Sequence, residues 1–381
     1  MVDRASSLEP EEADRVARVV GRLAKEGGAD GFVPFDRFME VALYDPDAGF
    51  YARKRPPFGH SGDYYTAAHV HPLFGRSVAE RVRVVRRALG RDRPFRVVEV
   101  GPGDGTLAET VLASLGGAPE GTAGVEYLLV ERSSSLRQAA LERVEASGRA
   151  AGIPVRLADS VSADGPFEGV VLANELLDAL PARRLEWTGS EWRELGVRVV
   201  GGGVVAASAA RRAPVPAPEL PVPDESGTVL EVSPQAEGWV REVADHLARG
   251  LAILVDYGME QPELLGGHRS GTLSAVRGHR AVDDPLTDPG SSDLSTFVNF
   301  TRVRAAARRA GLEEIAYCSQ AEALGAWGFP ALFEAEVRAA GSGEAEVRLR
   351  LAAKSLLFGF DRFRVLELSA PNGAAELRAV T

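Results

Sequence analysis

Two stretches of the chain combine residue types and spacings that could do chemistry. The first is Val97-Val98-Glu99-Val100-Gly101-Pro102-Gly103-Asp104-Gly105-Thr106. It reads as a buried strand that enters a glycine-rich turn and continues into a helix marked by Leu107, Val111, Leu112 and Leu115. Glycine lets the backbone take positive φ and lets a ligand approach the main chain. The helix start beyond it offers unpaired N–H groups to an anionic group. The spacing is G-x-G-x-G, and Thr106 stands where a dinucleotide fingerprint has its third glycine. That pattern favours S-adenosylmethionine (SAM) over NAD. The second stretch, Asn174-Glu175-Leu176-Leu177-Asp178-Ala179-Leu180-Pro181, sets polar side chains just past another strand.

SAM carries a sulfonium, a methionine carboxylate, a ribose diol and an adenine, and a site must satisfy each. Gly101, Gly103 and Gly105 would pass under the ligand, with Glu99 just before the turn. Glu131 ends the next strand, where an acid can accept hydrogen bonds from a ribose diol. Asp159, with Ser160 beside it, follows the third strand and is expected to accept from the adenine amino group. Gly62, Asp63 and Thr66 belong to Gly62-Asp63-Tyr64-Tyr65-Thr66, a segment expected to fold over the cofactor as a lid or to pack as an N-terminal cap. Any one of these acids alone would be an ordinary strand-end carboxylate. Their order around one sheet carries the reading.

Ligands of open α/β sheets sit at the carboxyl ends of the strands. Asn174, Glu175 and Asp178 are therefore expected to face the transferred methyl, with Asn174 also touching the cofactor. Methyl transfer is an in-line displacement that relies on positioning. A nitrogen or oxygen acceptor also needs a proton acceptor, for which Glu175 and Asp178 are the candidates. Against a guanidinium the same carboxylates would bind its fork. The plainer reading is structural: Asn174 would cap a short helix carrying Glu175 and Asp178 on one face. Asp256-Tyr257-Gly258 ends another strand and should line the same crevice.

These side chains need a sheet to hold them. Strands are expected near 95–100, 126–131, 154–158, 168–173, 251–256, 313–318 and 362–368, with helices at 9–26, 74–89, 234–249 and 297–310 among others. Such alternation implies a seven-stranded, mostly parallel Rossmann-like α/β sheet. Residues 1–90 read as a helical cap or lid region and 91–381 as the catalytic domain. Insertions at 182–228 (short antiparallel strands and a Pro-rich connection) and 259–296 (irregular) interrupt it.

Composition narrows the class. With Lys+Arg 44 against Asp+Glu 54 the net charge is −10, which gives no general attraction to nucleic acid or anionic membranes. A single cysteine, Cys318, excludes an internal disulfide and fits a reducing cytoplasm. The charged start, MVDRASSLEPEEADR, lacks the apolar core of a secretory signal, and no apolar run reaches membrane-spanning length. Cys318 is expected in the core, and the four tryptophans as packing or surface residues. His69 and His71 could pair on a metal, but nothing completes the pattern, so no metal is expected. His60 and His268 read as loop residues, and His279 as a candidate for the substrate pocket. An apolar stripe on helix 297–310 or on the 182–210 strands could make a homodimer.

Longer stretches resemble a known family. FMEVALYDPDAGFY (38–51), GDYYT (62–66), VVEVGPGDGTLAETVL (97–112), ANELLDALPARRLEW (173–187), LVDYG (254–258) and GTLSAVRGHRAVDDPLTDPGSSDLSTFVNF (271–300) are similar to the MidA family of SAM-dependent methyltransferases. Its mitochondrial members assist respiratory complex I assembly. The resemblance spans nearly the whole chain. It implies a class I methyltransferase sheet with an added substrate region and, for the mitochondrial members, arginine methylation on a protein. The chain departs from the family at Ala67-Ala68-His69-Val70-His71, where a Pro-Glu-Ile-Ser-like run is usual. It departs again at Asn299, where a second acid is usual, and at Leu356-Leu357-Phe358-Gly359-Phe360. The cofactor half is kept and the substrate-facing half has drifted. A protein acceptor, a small-molecule N- or O-acceptor, and a SAM-binding assembly factor without turnover all stay open.

Overall fold

The computed structural model describes the chain apart from residues 1–8, 54–56, 60–61, 64, 118–121, 213–219, 342 and 381. Tyr64, His60 and much of the Pro-rich connection therefore lie outside the described residues. The expected strands are β1 (Phe95–Val100), β2 (Val125–Val130), β3 (Val155–Ala158), β4 (Phe167–Asn174), β5 (Leu247–Met259), β6 (Glu313–Ser319) and β7 (Phe363–Ser369). They form one sheet in the order β6-β7-β5-β4-β1-β2-β3, with Val298–Asn299 added alongside the end of β5. Strands β1 to β5 run parallel, whereas β7 is antiparallel to both neighbours, so the sheet is mixed. β1, β4 and β5 read as near-continuous apolar runs because helices cover both faces. The chain steps outward from β1 to β3 and then returns to β4 on the other side of β1. That reversal opens a crevice at the carboxyl ends of β1 and β4.

The sheet is flanked by the helices α1 (Pro10–Glu26), α2 (Phe35–Tyr44), α3 (Leu73–Leu89), α4 (Thr106–Gly116), α5 (Ser134–Ala151), α6 (Pro234–His246) and α7 (Phe300–Arg309), among others. Pro10 occupies the first turn of α1, and Ser233 caps α6 by accepting from Ala236 N at 3.1 Å. Helix α6 stops three residues before the expected 249 because Leu247 already pairs with Phe167, ahead of a bulge in β5. The apolar residues of α7 are not a free dimer surface. Phe300, Val303, Ala306 and Ala307 are buried in the core. On the 182–210 strands, Val200 and Val205 stay exposed.

The insertion after β4 builds a second, antiparallel sheet from Arg183–Trp187, Trp192–Val200, Gly203–Arg212 and Val229–Val232, joined by Val33–Pro34 from the N-terminal region. Helices α1 and α2 pack against it through Val19, Leu23, Phe38, Met39 and Val197. Residues 259–296 are less irregular than expected: Ser274–Arg277, Arg280–Ala281 and Asp293–Ser295 form a small sheet. Three further helices, α8 (Gln320–Ala326), α9 (Phe329–Ala340) and α10 (Glu344–Phe358), fill the connection from β6 to β7. No described helix is long and apolar enough to cross a membrane. Cys318 is half-buried rather than central, because β6 is an edge strand whose residues are at most partly covered.

One ion pair lies inside the core. Arg81 on α3 donates to Glu367 on β7 at 2.8 and 2.6 Å, and Trp327 Nε1 donates to the same carboxylate at 3.1 Å. Both charged side chains are buried. Removing one partner leaves the other charge unpaired in an apolar setting. Glu367→Ala is therefore expected to cost about 3–5 kcal/mol in denaturant unfolding.

Candidate active site

A cavity of about 420 Å³ opens at the carboxyl ends of β1, β2 and β4. The glycine turn forms one side. Gly101, Gly103 and Gly105 all take positive φ, at 69°, 57° and 83°. Gly101 and Gly103 line the cavity. Gly105 does not. A Cβ there would meet the Ala140 backbone at 3.0 Å, so this glycine lets α5 approach the turn. Asp104 holds the turn's shape by accepting from Thr106 N at 3.1 Å and Thr106 Oγ1 at 2.8 Å. Arg143 and His69 also face it, at 2.9 and 3.3 Å. Burial pushes the Asp104 carboxyl up, but His69, Thr106 and Arg143 together outweigh it and hold the group at about 2.

Glu99 and Glu131 are buried and line the cavity. Burial raises Glu99 to about 7, partly offset by the hydroxyl of Tyr127, which donates to it. Glu131 is likewise raised by burial and held back by the N–H groups of Ser133, Gly103 and Arg132. Asp159 reaches the rim, but its side chain is 87% exposed and paired with Arg137 at 2.7 Å. Ser160 shares a hydrogen bond with Ser162 at 2.7 Å and is not among the lining residues. Asp159 thus lines the cavity from its rim, whereas Ser160 does not line it.

The segment after β4 is not the short capped helix of the plainer reading. Glu175 takes a left-handed φ of 53°, and residues 175–180 form an irregular turn. The cause lies on the neighbouring strand. Asp256 Oδ2 accepts from the N–H groups of Leu176, Leu177 and Asp178 at 3.1, 2.7 and 3.3 Å. Oδ1 accepts from Tyr257 N at 2.9 Å. Asn174 caps no helix; its Nδ2 donates to Glu175 Oε1 at 3.2 Å, its Oδ1 is buried without a partner among the described residues, and the residue lines the cavity. Glu175 lines the cavity too, and accepts from Ala67 N at 3.0 Å.

Asp178 is not a lining residue of this cavity but joins Asp256, Asp293 and Glu175 in a group of mutually repelling carboxyls. Enclosure by protein, and then repulsion from Asp256 and Asp293, raises Glu175 to about 8. Enclosure raises Asp293 to about 6, although Tyr51 OH donates to it at 2.8 Å. Asp178 and Asp256 are also held above their usual range by enclosure. Asp256 collects four N–H donors, so it carries the charge more readily and Asp178 the proton.

Of the expected lid residues, Thr66 lines the cavity and its Oγ1 lies 2.7 Å from His69 Nδ1. Gly62 and Asp63 are not lining residues. Asp63 instead pairs with Arg53 at 2.8 Å and accepts from Gly278 N at 2.8 Å, tying this segment to the small sheet. His279 stacks on Tyr65 at 4.7 Å and is not a lining residue either. His71 Nδ1 accepts from Leu73 N at 3.2 Å, at the start of α3. Sequence reasoning missed Tyr44, Tyr51, Phe58, Trp239 and Glu242, and saw His69 only as a metal candidate; all line the cavity. Phe58 stacks on His69 at 5.9 Å and covers Gly103. Gln235, Trp239 and Glu242 share one face of α6 by their spacing, a signal the sequence does hold.

Comparison with known proteins agrees with this geometry. A family model described as S-adenosyl-L-methionine-dependent methyltransferase matches residues 77–318. The mitochondrial protein arginine methyltransferase NDUFAF7 homolog of Drosophila melanogaster is 30% identical over 335 residues, 80% of this chain and 74% of that protein. Its Danio rerio counterpart is 27% identical over 75% of this chain and 71% of its own length. A chain from Burkholderia thailandensis, solved with S-adenosyl-homocysteine (SAH) bound, superposes with a TM-score of 0.86 at 30% identity, covering 97% of both chains. The α/β methyltransferase fold, the glycine turn and these matches together establish that the chain belongs to the MidA family of SAM-dependent methyltransferases.

Proposed function

We propose that this enzyme methylates a protein side-chain nitrogen, with the arginine guanidinium as the leading acceptor. The observation that carries the reading is the carboxyl group set of Glu175, Asp178, Asp256 and Asp293 beside the cofactor cavity. Carboxyls held above their usual range by enclosure and mutual repulsion are relieved by a cation. A guanidinium is a cation whose planar fork matches carboxylates. The names of the relatives, protein arginine methyltransferases, agree with it.

The residues present fit SAM. Gly101 and Gly103 leave a Cβ-free wall, and Asn174 and Glu131 line the same cavity. Gly101, Gly103, Glu99 and Asn174 would hold the amino-acid end and Glu131 the ribose. When bound, SAM supplies an electrophilic methyl on its sulfonium. Glu175 orients the acceptor and takes its proton, and Asp256 fixes the turn that aims Glu175. We read the sheet as the Rossmann-like class I arrangement, and residues 1–90 as a cap whose Phe58, Thr66, Ala68 and His69 close one side of the cavity. The half-buried lone Cys318 supports a reducing, cytoplasmic setting, and the exposed Val200 and Val205 support the 182–210 sheet as the meeting place of two copies.

Glu131→Ala is expected to weaken SAM by roughly tenfold or more, the loss of a charge-assisted contact. Calorimetric affinity equal to the parent would remove Glu131 from the site. The acceptor is tested by incubating the enzyme with methyl-labelled SAM and an extract of the source cells. Label in a discrete protein band, recovered as methylarginine after hydrolysis, supports the proposal. Label confined to small molecules would reassign the enzyme to metabolite methylation.

A further inference from the structure

Two tyrosines of the N-terminal region, Tyr44 and Tyr51, line the cavity with their rings 5.3 Å apart. Each ties the loop after β2 to the acidic side of the site. At the loop, Arg132 lies over the Tyr44 ring at 4.1 Å, and Ser133 Oγ donates to Tyr51 O at 2.6 Å. At the acidic side, Tyr44 OH donates to Ala179 O at 3.0 Å, next to Asp178, and Tyr51 OH donates to Asp293 Oδ1 at 2.8 Å. Asp293 opens a strand of the small sheet and keeps partial exposure. Glu175, Asp178, Asp63, Arg53 and Tyr44 are the charged and titratable groups that act on it besides Tyr51. Arg53 is engaged elsewhere, by Asp63 at 2.8 Å and by Ser291 O. Asp256 has committed its oxygens to the N–H groups of the turn after β4 and of Tyr257. Asp293 is left as a carboxylate steadied by a neutral hydroxyl and with no direct cationic partner among the described residues.

We propose that Tyr51 is a positioning residue for the acceptor, its hydroxyl fixing Asp293 as the carboxylate that meets the acceptor's cation. This role rests on the cationic acceptor proposed above. Four crowded carboxyls cannot all ionise together, so the donors each one receives decide which of them holds charge. A phenol O–H pointed at a carboxylate favours the charged form and fixes the direction of the oxygen it touches. Enclosure has raised Asp293 to about 6, with the Tyr51 hydroxyl holding it back. Loss of that hydroxyl raises it further, and Asp293 should then ionise about one pH unit higher. The acceptor would meet a neutral carboxyl at a pH where the parent offers a charged one.

The test compares Tyr51→Phe with the parent from about pH 5 to about pH 9. The readout is the initial rate of label transfer from saturating methyl-labelled SAM to a limiting amount of source-cell extract. Phenylalanine keeps the ring against Tyr44 and removes the donor. The ratio of parental to variant rate is expected to be about tenfold below about pH 6 and to fall toward parity above about pH 8. A ratio that does not change with pH would make Tyr51 a packing residue and overturn the proposal. Asp293→Asn should slow transfer by itself, and adding Y51F to it should cost nothing more. A double variant that pays the full Tyr51 loss again would reject the pairing. Should Y51F not fold, 3-fluorotyrosine placed at position 51 keeps the ring and makes the phenol a stronger donor. The acid side of the rate profile should then move to lower pH, and an unmoved profile would reject the contact. Label confined to small molecules would overturn the protein-acceptor reading and not this role, which the pH dependence of the ratio decides alone.

Discussion

Glu175→Gln is expected to lower kcat by roughly 10²–10⁴ while leaving SAH affinity within about threefold of the parent. Glutamine keeps an oxygen that can accept from Ala67 N and Asn174 Nδ2, so the local geometry survives. What disappears is the negative charge and the capacity to take a proton. Glu175→Ala removes the Ala67 contact as well and should weaken SAH further, which separates the chemical role from the architectural one. If E175Q retains full turnover, the acceptor's proton goes elsewhere.

The pH dependence arises from the same group. Enclosure first, then Asp256 and Asp293, lift Glu175 from its ordinary 4.5 to about 8. The folded, ligand-free chain thus holds a proton that the unfolded chain has shed. This group's contribution to stability is present below about pH 4.5 and declines as pH rises toward 8. Binding a cation reverses that preference. SAM, with its sulfonium, should release protons at pH 7, and SAH should release fewer. Calorimetry in two buffers of different ionisation enthalpy measures the release directly, and equal values for SAM and SAH would show that the carboxyls do not sense the sulfonium. A rise of kcat/KM with pH is expected as these carboxyls ionise, and it would belong to the coupled carboxyls as a set.

The second large effect is at the glycine turn. Gly103→Val is expected to abolish measurable SAM binding. A Cβ at this position lies 2.9 Å from the Phe58 ring, and the φ of 57° is one that a β-branched residue scarcely adopts. The substitution thus strains the turn and pushes into the wall the ligand must approach. Gly105→Val would fail differently, by forcing α4 and α5 apart, and should register first in thermal stability. Calorimetric affinity unchanged in the Gly103 variant would take the turn out of the site.

Features legible in the sequence are those decided locally. The glycine turn, the apolar strands and the Ser233-Pro234 helix start each depend on neighbours within a few residues. The turn after β4 escapes such a reading because its shape is dictated by Asp256, nearly eighty positions away, whose carboxylate takes the N–H groups that a helix would direct along its axis. For Asp159 the strand-end position is readable, but its pairing with Arg137, from the helix before β3, is not. Phe58 over Gly103 and Trp239 on α6 belong to segments far from the cofactor motif, and only tertiary packing brings them to it. The face shared by Gln235, Trp239 and Glu242 is visible as spacing, yet spacing does not say what a face meets.

The order of strands in the sheet has a consequence for how the chain assembles. β7 comes after every other strand of the sheet in sequence but lies between β5 and β6. β6 touches the sheet through β7 alone, so it has no edge to pair with until β7 arrives. The crevice half, β3-β2-β1-β4-β5, needs neither. Folding therefore has a natural two-step grammar, with the ligand turn set first and the β6–β7 flank zipped on afterwards. Damage to the Arg81–Glu367 clasp should slow that second step more than the first.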